Sequence, residues 1–461
     1  MRGSLVPLLL VLTGSSAAGQ TQATPMEPMN PTQEVAGEKP SGPAIIAGPT
    51  EIRIGGYLGI TGIYRSTASG GGPGTSFASI PYSDTVTGNV SEARLTAQPS
   101  RLSIRVNAAP APDRSTLAGY FEMDFAGAVP GNVAVTSSSA QLRLRHAFGE
   151  AQFDGRYLVA AGQAYSLMTP AKDQLSMWPS DYELSAAVDM NYLAGTVWDR
   201  SPQVRFTFRP SAAFNWAIAA ENPEQQIGTV VRLPACCTSD LEAQYNIGSN
   251  GLSVPNLMPD IVSRAAFNTE KVFHLDVGGV LRVFRHTLAP YDDSFRHAGG
   301  GLSVNARART NDATTLIGQI AYGSGMGRYV GGLAPDVSVG ADGAIRPIPT
   351  TAWTAGVEYR ISAPFSIAAY DSGVRIDRSY SVDADGTFVG FGYPGSPNDS
   401  NRTIHQITGV FGWQPWKIAG RGSMQWNSQL SWLRRTPWSS GTGPSSADAL
   451  MFLTQIRYNL P

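Results

Sequence analysis

The chain has 461 residues and a formal net charge of -1, and only 15% of its residues are charged. So little net charge argues against a nucleic-acid partner, which requires a basic surface. Long helical patterns of Leu, Ala, Glu and Lys are missing, and glycine is abundant at 50 residues, so the composition does not favour a helix-rich soluble enzyme.

Residues 1–19 have the features of a secretory signal peptide. Arg2 supplies the positive charge, an apolar run extends from Leu5 to Leu12, and Ala17 and Ala18 are small residues suited to cleavage. The run is too short to cross a bilayer as a helix, which takes roughly 20 residues. No later segment is apolar enough either. A membrane-embedded form of the mature chain must therefore be a β-barrel, because lipid tolerates no unpaired backbone.

Residues 20–50 are rich in proline, with Gly, Thr and Gln between the prolines. Such a segment buries too little apolar surface to offset the entropy of ordering it, so we expect a flexible periplasmic lead-in. The prolines also exclude a heptad coiled coil in this segment.

From residue 51 to residue 461 the pattern alternates between apolar and polar residues with period two, which predicts β-strands. One example is the run in which Leu102, Ile104 and Val106 alternate with Arg101 and Arg105. The same pattern recurs along the chain and predicts an all-β fold, a transmembrane antiparallel barrel of sixteen strands. The predicted spans are 51–65, 94–108, 116–126, 140–152, 156–165, 202–209, 213–221, 259–268, 271–285, 298–309, 313–323, 350–361, 364–378, 402–413, 420–435 and 449–460.

The connections alternate between short turns and long loops rich in Gly, Ser and Pro, which is typical of outer-membrane barrels with short periplasmic turns. The long loops are 66–93, 166–200, 222–258, 324–350, 379–401 and 436–448. Segment 240–247 also alternates; we place it in a loop to keep the count even, and an eighteen-stranded barrel stays open as the alternative.

A soluble propeller or solenoid would also have short strands and Gly-rich turns. No repeat of blade length is found, which weakens that alternative. Aromatic residues at strand ends favour the two interfacial girdles of a membrane barrel. They are Tyr57, Tyr64, Trp353, Tyr359, Trp413, Trp416, Trp426, Trp432 and Trp438. The last strand alternates up to Pro461. Outer-membrane barrels commonly end in such a strand with a terminal aromatic residue, which the barrel-assembly machinery recognises, whereas the last residue here is Pro461.

If the apolar face of the wall meets lipid, the other face lines the lumen and is rich in arginine. Guanidinium groups suit the bidentate binding of carboxylates, so the pattern predicts selection of small anions. The alternative is that these residues only brace the wall through cross-strand ion pairs with Glu122 and Asp124. The predicted pore-wall set is Arg101, Arg105, Arg143, Arg145, Arg205, Arg209, Arg264, Arg307, Arg309, Arg360, Glu122 and Asp124.

Loop 166–200 is the predicted constriction element, because it is long and carries both acidic and aromatic residues. Asp173, Asp181, Glu183 and Asp189 on an infolded loop, facing wall arginines, would create a transverse field across the pore. The alternative for each acid is an ordinary solvated loop charge.

The stretch from Ser100 to Arg209 resembles the DcaP-like porins of Gram-negative bacteria. The shared motifs are Phe121-Glu122-Met123-Asp124-Phe125, the run from Leu142 to Glu150, Gly162-Gln163 before the long loop, and Gln203-Val204-Arg205 after it. The resemblance covers about a quarter of the chain. It implies a sixteen-stranded homotrimeric barrel that takes up small anionic solutes such as aromatic or dicarboxylic acids. It also implies pore-wall roles for Arg101, Arg143, Arg145 and Arg205, and places Gln163 at the base of the constriction loop.

Two departures from the family pattern affect what can be carried over. The family often has an N-terminal coiled coil, whereas this chain has the Pro-rich segment. The aromatic residue expected directly after Gln163 is displaced by Ala164, with Tyr165 following. The chemistry of the constriction is therefore open.

Catalytic chemistry is not expected. The five histidines lie in no recognisable nucleophile motif, no G-x-S-x-G occurs, and no His pair has metal-ligand spacing, so we expect no metal and no cofactor. Adjacent Cys236 and Cys237 lie in a predicted external loop, where an oxidising compartment allows a disulfide that staples the loop.

Three functions stay open at this stage: an anion-preferring porin, a substrate-specific channel, and an adhesin or receptor whose loops carry the activity. All three place the chain in the Gram-negative outer membrane with its N-terminal segment in the periplasm. The expected partners are outer-membrane lipid, lipopolysaccharide, small anionic solutes and further copies of the chain.

Overall fold

The computed structural model describes residues 44–69, 72–113, 115–129, 131–247, 254–269, 272–290 and 293–461, and within them one antiparallel sheet closes on itself. The predicted signal peptide and most of the Pro-rich lead-in lie outside the described residues. The strands are β1 Ala44–Ala47, β2 Thr50–Arg65, β3 Glu92–Thr96, β4 Arg101–Ala108, β5 Thr116–Asp124, β6 Arg143–Phe153, β7 Tyr157–Tyr165, β8 Arg200–Ser211, β9 Phe214–Glu221, β10 Asp260–Thr269, β11 Phe273–Leu288, β12 Asp293–Arg309, β13 Thr314–Ser324, β14 Val337–Val339, β15 Ile345–Pro347, β16 Pro349–Arg360, β17 Phe365–Ile376, β18 Ser379–Val382, β19 Phe388–Phe391, β20 Asn401–Ile418, β21 Gly422–Pro437 and β22 Ala447–Asn459.

Sixteen long strands form the barrel wall: β2, β4 to β13, β16, β17 and β20 to β22. Each pairs with the next in chain order, and β22 returns to pair with β2, from Tyr57 opposite Asn459 to Arg65 opposite Met451. Closure leaves no free sheet edge in the wall, which is the condition for a sheet to sit in lipid. The predicted sixteen-stranded barrel is therefore confirmed.

The first strand of the wall, β2, is long and pairs with two other strands along each of its edges. β4 pairs with its first half and β3 with its last residues, so the predicted strand 94–108 is in fact broken between Thr96 and Arg101. On the other edge, β1 pairs with residues 50–53, below the point where β22 ends. Ala44–Ala47, which the sequence analysis assigned to the lead-in, thus forms a short hairpin with the start of β2 and extends the wall.

Side chains alternate across the wall in the opposite sense to a soluble protein. Leu58, Leu302 and Ile456 point outward and are 58%, 64% and 49% exposed, whereas Arg145 and Arg264 point inward and are 2% and 1% exposed. A soluble barrel or propeller would bury the apolar set. The outward apolar belt therefore fits a lipid-facing surface and excludes the soluble alternative.

The connections confirm the predicted asymmetry. Short turns at 109–115, 154–156, 212–213, 270–272, 310–313, 361–364 and 419–421 join strands at one end of the barrel, while seven of the eight connections at the other end are long. Segment 240–247, the candidate extra strand, lies in such a loop and overlaps the short helix Thr238–Glu242, so an eighteen-stranded barrel is ruled out. Among the described residues, no helix is long and apolar enough to cross a membrane.

Gly56 lies in β2 opposite Leu102 and has a φ of 113°, and a Cβ there would overlap the backbone carbonyl of Arg101. Gly56→Ala should therefore destabilise the folded barrel by about 1–3 kcal/mol. The measurement is urea unfolding followed by the heat-modifiable mobility of the barrel on gels.

The matched control is Gly409→Ala, because Gly409 lies in the wall with no atom within 4 Å of its Cβ position and no positive φ. Equal unfolding midpoints for the two variants would contradict a strained approach at Gly56.

Candidate functional site

Loop 166–199, between β7 and β8, folds into the barrel and contacts wall strands on both sides of the interior. Near its start, the amide of Leu167 donates to Glu221 on β9 at 2.7 Å, and that of Ala171 donates to Asp276 on β11 at 3.1 Å. Farther along, Gly195 approaches the opposite wall so closely that a Cβ would overlap the Trp353 carbonyl on β16. The loop therefore crosses the interior, as predicted for a constriction element.

Buried wall arginines hold the first half of this loop by its backbone. Arg205 donates from Nη1 to the carbonyl of Ser176 and from Nη2 to that of Tyr165, both at 2.9 Å. Arg264 donates from Nε to the carbonyl of Leu167 at 2.7 Å. Irregular backbone inside a barrel finds no strand partner, so these guanidinium groups satisfy carbonyls that would otherwise be buried and unpaired.

Neutral wall side chains hold the second half. Gln429 Oε1 on β21 accepts from the amides of Val188 and Asp189 at 2.6 and 3.0 Å. Gln406 Oε1 on β20 accepts from the amide of Ala194 at 2.9 Å. The Asp189 carboxylate in turn accepts from the amide and the hydroxyl of Thr75 in the first loop, and burial raises its pKa. Asp189 thus joins two infolded loops.

The other predicted loop acids have different environments. Asp181 accepts from the amides of Asp173, Gln174 and Ser176 at 3.1, 2.9 and 2.6 Å, so its carboxylate shapes a turn of the loop and does not face the lumen. Glu183 lies 3.1 Å from Nε of Arg307 on β12, which is the expected pairing of a loop acid with a wall arginine. Asp173 is exposed.

Gln163 lies in β7, three residues before the loop, opposite Pro202 on the outward face. Its amide donates to the carbonyl of Leu144 at 3.3 Å, next to a register shift in β6. The loop-base role implied by the family resemblance is therefore not reproduced as a contact with the loop; the side chain caps the neighbouring strand.

Glu122 and Asp124 on β5 form the cross-strand network that the bracing alternative predicted. Arg145 contacts Glu122 at 2.6 Å and Asp124 at 3.0 Å, and Arg143 contacts Asp124 at 2.7 Å. Arg101 lies 3.8 Å from Glu122 on the other side. Glu122, Asp124 and Arg145 are nearly inaccessible to solvent, so this part of the predicted pore wall braces β4, β5 and β6.

Tyr57, which the sequence analysis placed in an aromatic girdle, faces inward and is 7% exposed. Its ring lies between Arg101 and Arg457, whose guanidinium carbons are 5.5 and 4.8 Å from the ring centroid. Side chains alternate with period two along β2, which puts Tyr57 on the same inward face as Arg53, so the assignment of Tyr57 to the girdle was wrong.

Several inward arginines were missed by the sequence analysis. Arg282 donates to Asp260 at 3.0 Å and lies 2.6 Å from Asp336 of loop 325–348, which also folds inward. Arg328 of the same loop contacts Asp199 at the end of the constriction loop. The alternation of Leu281 and Val283 with Arg282 was the sequence signal that could have identified Arg282 as an inward residue. The buried arginines that the predicted pore-wall set lacks are Arg65, Arg282, Arg435 and Arg457, and the half-buried Arg53 is also outside that set.

A second group of inward arginines keeps partial contact with solvent. These half-buried side chains lie mostly near the short-turn end of the wall, below the constriction loop. Arg105 lies 4.3 Å above the Trp178 ring of that loop and donates to Asn107 at 3.1 Å. Arg209 donates to the carbonyl of Gln174 at 3.1 Å. We name this group the arginine collar; it comprises Arg53, Arg105, Arg209, Arg307, Arg309 and Arg360.

Cys236 and Cys237 lie in loop 222–259 and are joined to each other by a disulfide. Cys237 packs in the apolar cluster that the infolded loops form inside the barrel, together with Leu241 and Tyr245. The disulfide therefore lies beside the short helix Thr238–Glu242 and away from the arginine collar.

The barrel is similar to the outer-membrane channel DcaP of Acinetobacter baumannii, with a TM-score of 0.66 and 18% identity over 90% of this chain and 99% of that chain. OmpF of Salmonella typhi, in complex with daunomycin, aligns with a TM-score of 0.48 and 10% identity over 90% of this chain and 100% of that chain. OmpT of Vibrio cholerae aligns with a TM-score of 0.46 and 9% identity, over 90% and 99%. No protein-family profile and no curated sequence matches the chain. The chain thus has the fold of an outer-membrane channel, and its likeness to DcaP confirms, at the level of the fold, the resemblance to DcaP-like porins that its motifs predicted.

Proposed function

We propose that the protein is an outer-membrane porin, a passive diffusion channel that prefers small hydrophilic anions such as carboxylates. The observation that carries this proposal is the arginine collar, six half-buried guanidinium groups that face the lumen below an infolded loop. Fixed positive charge in a narrow, low-dielectric passage raises the local concentration of anions. Guanidinium groups also match the planar geometry of carboxylates.

The ion pairs of the wall support a division between structural and selective arginines. Arg145 is committed to Glu122 and Asp124, and its removal would leave two buried carboxylates short of a partner. Arg105 and Arg360 remain half-buried without a carboxylate within ion-pair distance among the described residues. Within the collar, Arg53 is paired with Glu51 and Arg307 with Glu183, so Arg105 and Arg360 are the members that this proposal relies on for positive charge toward a solute.

The proposal includes a position in the membrane and an assembly. The long loops would face outside and the short turns the periplasm, which also places the N-terminal segment in the periplasm. We further propose a homotrimer, as the family resemblance implies, and no catalytic activity.

Arg105→Gln combined with Arg360→Gln should move the reversal potential toward zero. Two of the lumen charges that favour anions are lost, while the ion pairs of β4, β5 and β6 stay intact. The measurement is the reversal potential of the refolded protein in a planar bilayer under a salt gradient.

The matched control is Arg375→Gln with Arg434→Gln, which removes the same charge from the outward face, where the two side chains are 55% and 48% exposed. An equal shift in both double variants, or cation preference in the unmodified protein, would rule out selection by the collar.

Gln406→Leu combined with Gln429→Leu should raise single-channel conductance and current noise. The two substitutions keep the side chains similar in size but leave the amides of Val188, Asp189 and Ala194 without acceptors. Each buried amide that loses its acceptor costs about 1–3 kcal/mol of stability. The second half of the constriction loop would then leave the wall.

Gln319→Leu is the control, because Gln319 also points inward but has no hydrogen bond to the loop among the described residues. Unchanged conductance and noise in the double variant would mean that this part of the loop lies outside the path of the ions.

A further inference from the structure

The outward face of β17 and of β20 to β22 becomes charged near the long-loop end of the barrel. Ile407, Leu430 and Leu450 are apolar and are 49%, 53% and 47% exposed. One step toward the loops, Arg434 lies opposite His405 on β20 and Asp448 on β22. One step farther, Arg375 lies opposite Thr403. The change marks the upper edge of the apolar belt.

A β-bulge at this edge turns an additional arginine outward. Asn401 pairs with Pro437 and Thr403 with Thr436, so β20 has one extra residue between these pairs. Asn401 and Ile404 are buried inside, where Asn401 donates to the carbonyl of Ala78 at 2.9 Å. The two residues between them, Arg402 and Thr403, therefore both face away from the interior.

Two guanidinium groups converge on one indole at this place. The guanidinium carbons of Arg378 and Arg402 lie 4.9 and 5.8 Å from the centroid of the Trp438 ring. The indole is held in position because its Nε1 donates to the carbonyl of Ile376 at 3.0 Å. Both arginines are exposed, and in the part of the chain that the structure describes neither forms an ion pair.

The neighbouring charges do not neutralise this pair. Arg375 is paired with Asp377 at 3.3 Å and Arg434 with Asp448 at 2.7 Å, while His405 is hydrogen-bonded to Asp371 at 2.7 Å. The acids of this face thus already have basic partners. Among the described residues, Arg378 and Arg402 have no carboxylate within ion-pair distance, and both lie beside the Trp438 ring.

We propose that Arg378, Arg402 and Trp438 form a binding site for the phosphorylated headgroup of a glycolipid in the outer leaflet. Paired guanidinium groups bind phosphate oxygens bidentately, and the Trp438 indole, which packs against the apolar cluster of the infolded loops, positions the two groups. The site rests on the proposed orientation, in which the long loops face outward.

The test compares lipid A with two phosphates, lipid A stripped of its phosphates, and inorganic phosphate. The refolded full-length protein in mixed micelles is analysed by native mass spectrometry at increasing concentrations of each. The variant is Arg378→Gln with Arg402→Gln. The control is Arg375→Gln with Arg421→Gln, which removes the same charge elsewhere; Arg421 is an exposed residue in a short turn.

We expect the unmodified protein and the control to retain phosphorylated lipid A in preference to the stripped form. The Arg378 and Arg402 variant should bind it at least about tenfold more weakly, as the loss of charge-assisted hydrogen bonds requires. Equal retention by the variant and the control, equal retention of the two lipids, or full competition by inorganic phosphate would each overturn the site.

Folding and pore function are checked on the same preparation, through gel mobility and the reversal potential. Because Arg378 and Arg402 lie outside the lumen, the variant should keep both properties of the unmodified protein. Lipid binding without anion preference would contradict the proposed porin function alone, whereas anion preference without lipid binding would contradict this site alone.

Discussion

Irregular backbone inside a closed barrel must find hydrogen-bond partners from the wall, and this requirement organises the interior. Strand residues satisfy their own backbone in the ladder, so only their side chains are available to loop 166–199. Arg205 and Arg264 provide donors for its carbonyls, and Gln429 provides an acceptor for its amides. The inward polar residues of the wall thus first hold the loop, and only those left over can act on a solute.

The number of arginines facing the lumen is consequently a poor measure of the field inside it. Arg145 contacts both Glu122 and Asp124, and Arg264 lies between loop carbonyls and Asp276, so their charge is largely offset where it is buried. In the collar, by contrast, Arg105 meets an indole and an amide. A buried charge is kept only when it is paired, whereas a half-exposed one is stabilised by water and can act on ions.

Period two was sufficient to predict the wall, because residues at alternate positions of a strand meet lipid on one side and the lumen on the other. All sixteen predicted spans correspond to wall strands, and the inward side of Arg101, Arg205 and Arg307 followed from the same pattern. What each arginine contacts did not follow, because the loop residues that it meets are distant in sequence. Asp181 and Glu183 are both acidic residues of the same loop, yet Asp181 binds backbone amides within its own loop whereas Glu183 contacts Arg307 of the wall.

Two of the register shifts in the wall explain why adjacent residues of one strand can lie on the same face. In β6 the register shift opposite Glu122 and Met123 places consecutive Arg145 and His146 inside the barrel, beside the carboxylates of β5. In β20 the shift after Asn401 places consecutive Arg402 and Thr403 outside. An extra residue in a strand reverses the side on which the following residues lie, so it gives one face two adjacent polar groups that strict alternation forbids. In β20 the adjacent pair lies at the upper edge of the apolar belt, the level at which the headgroup layer of a membrane offers polar partners.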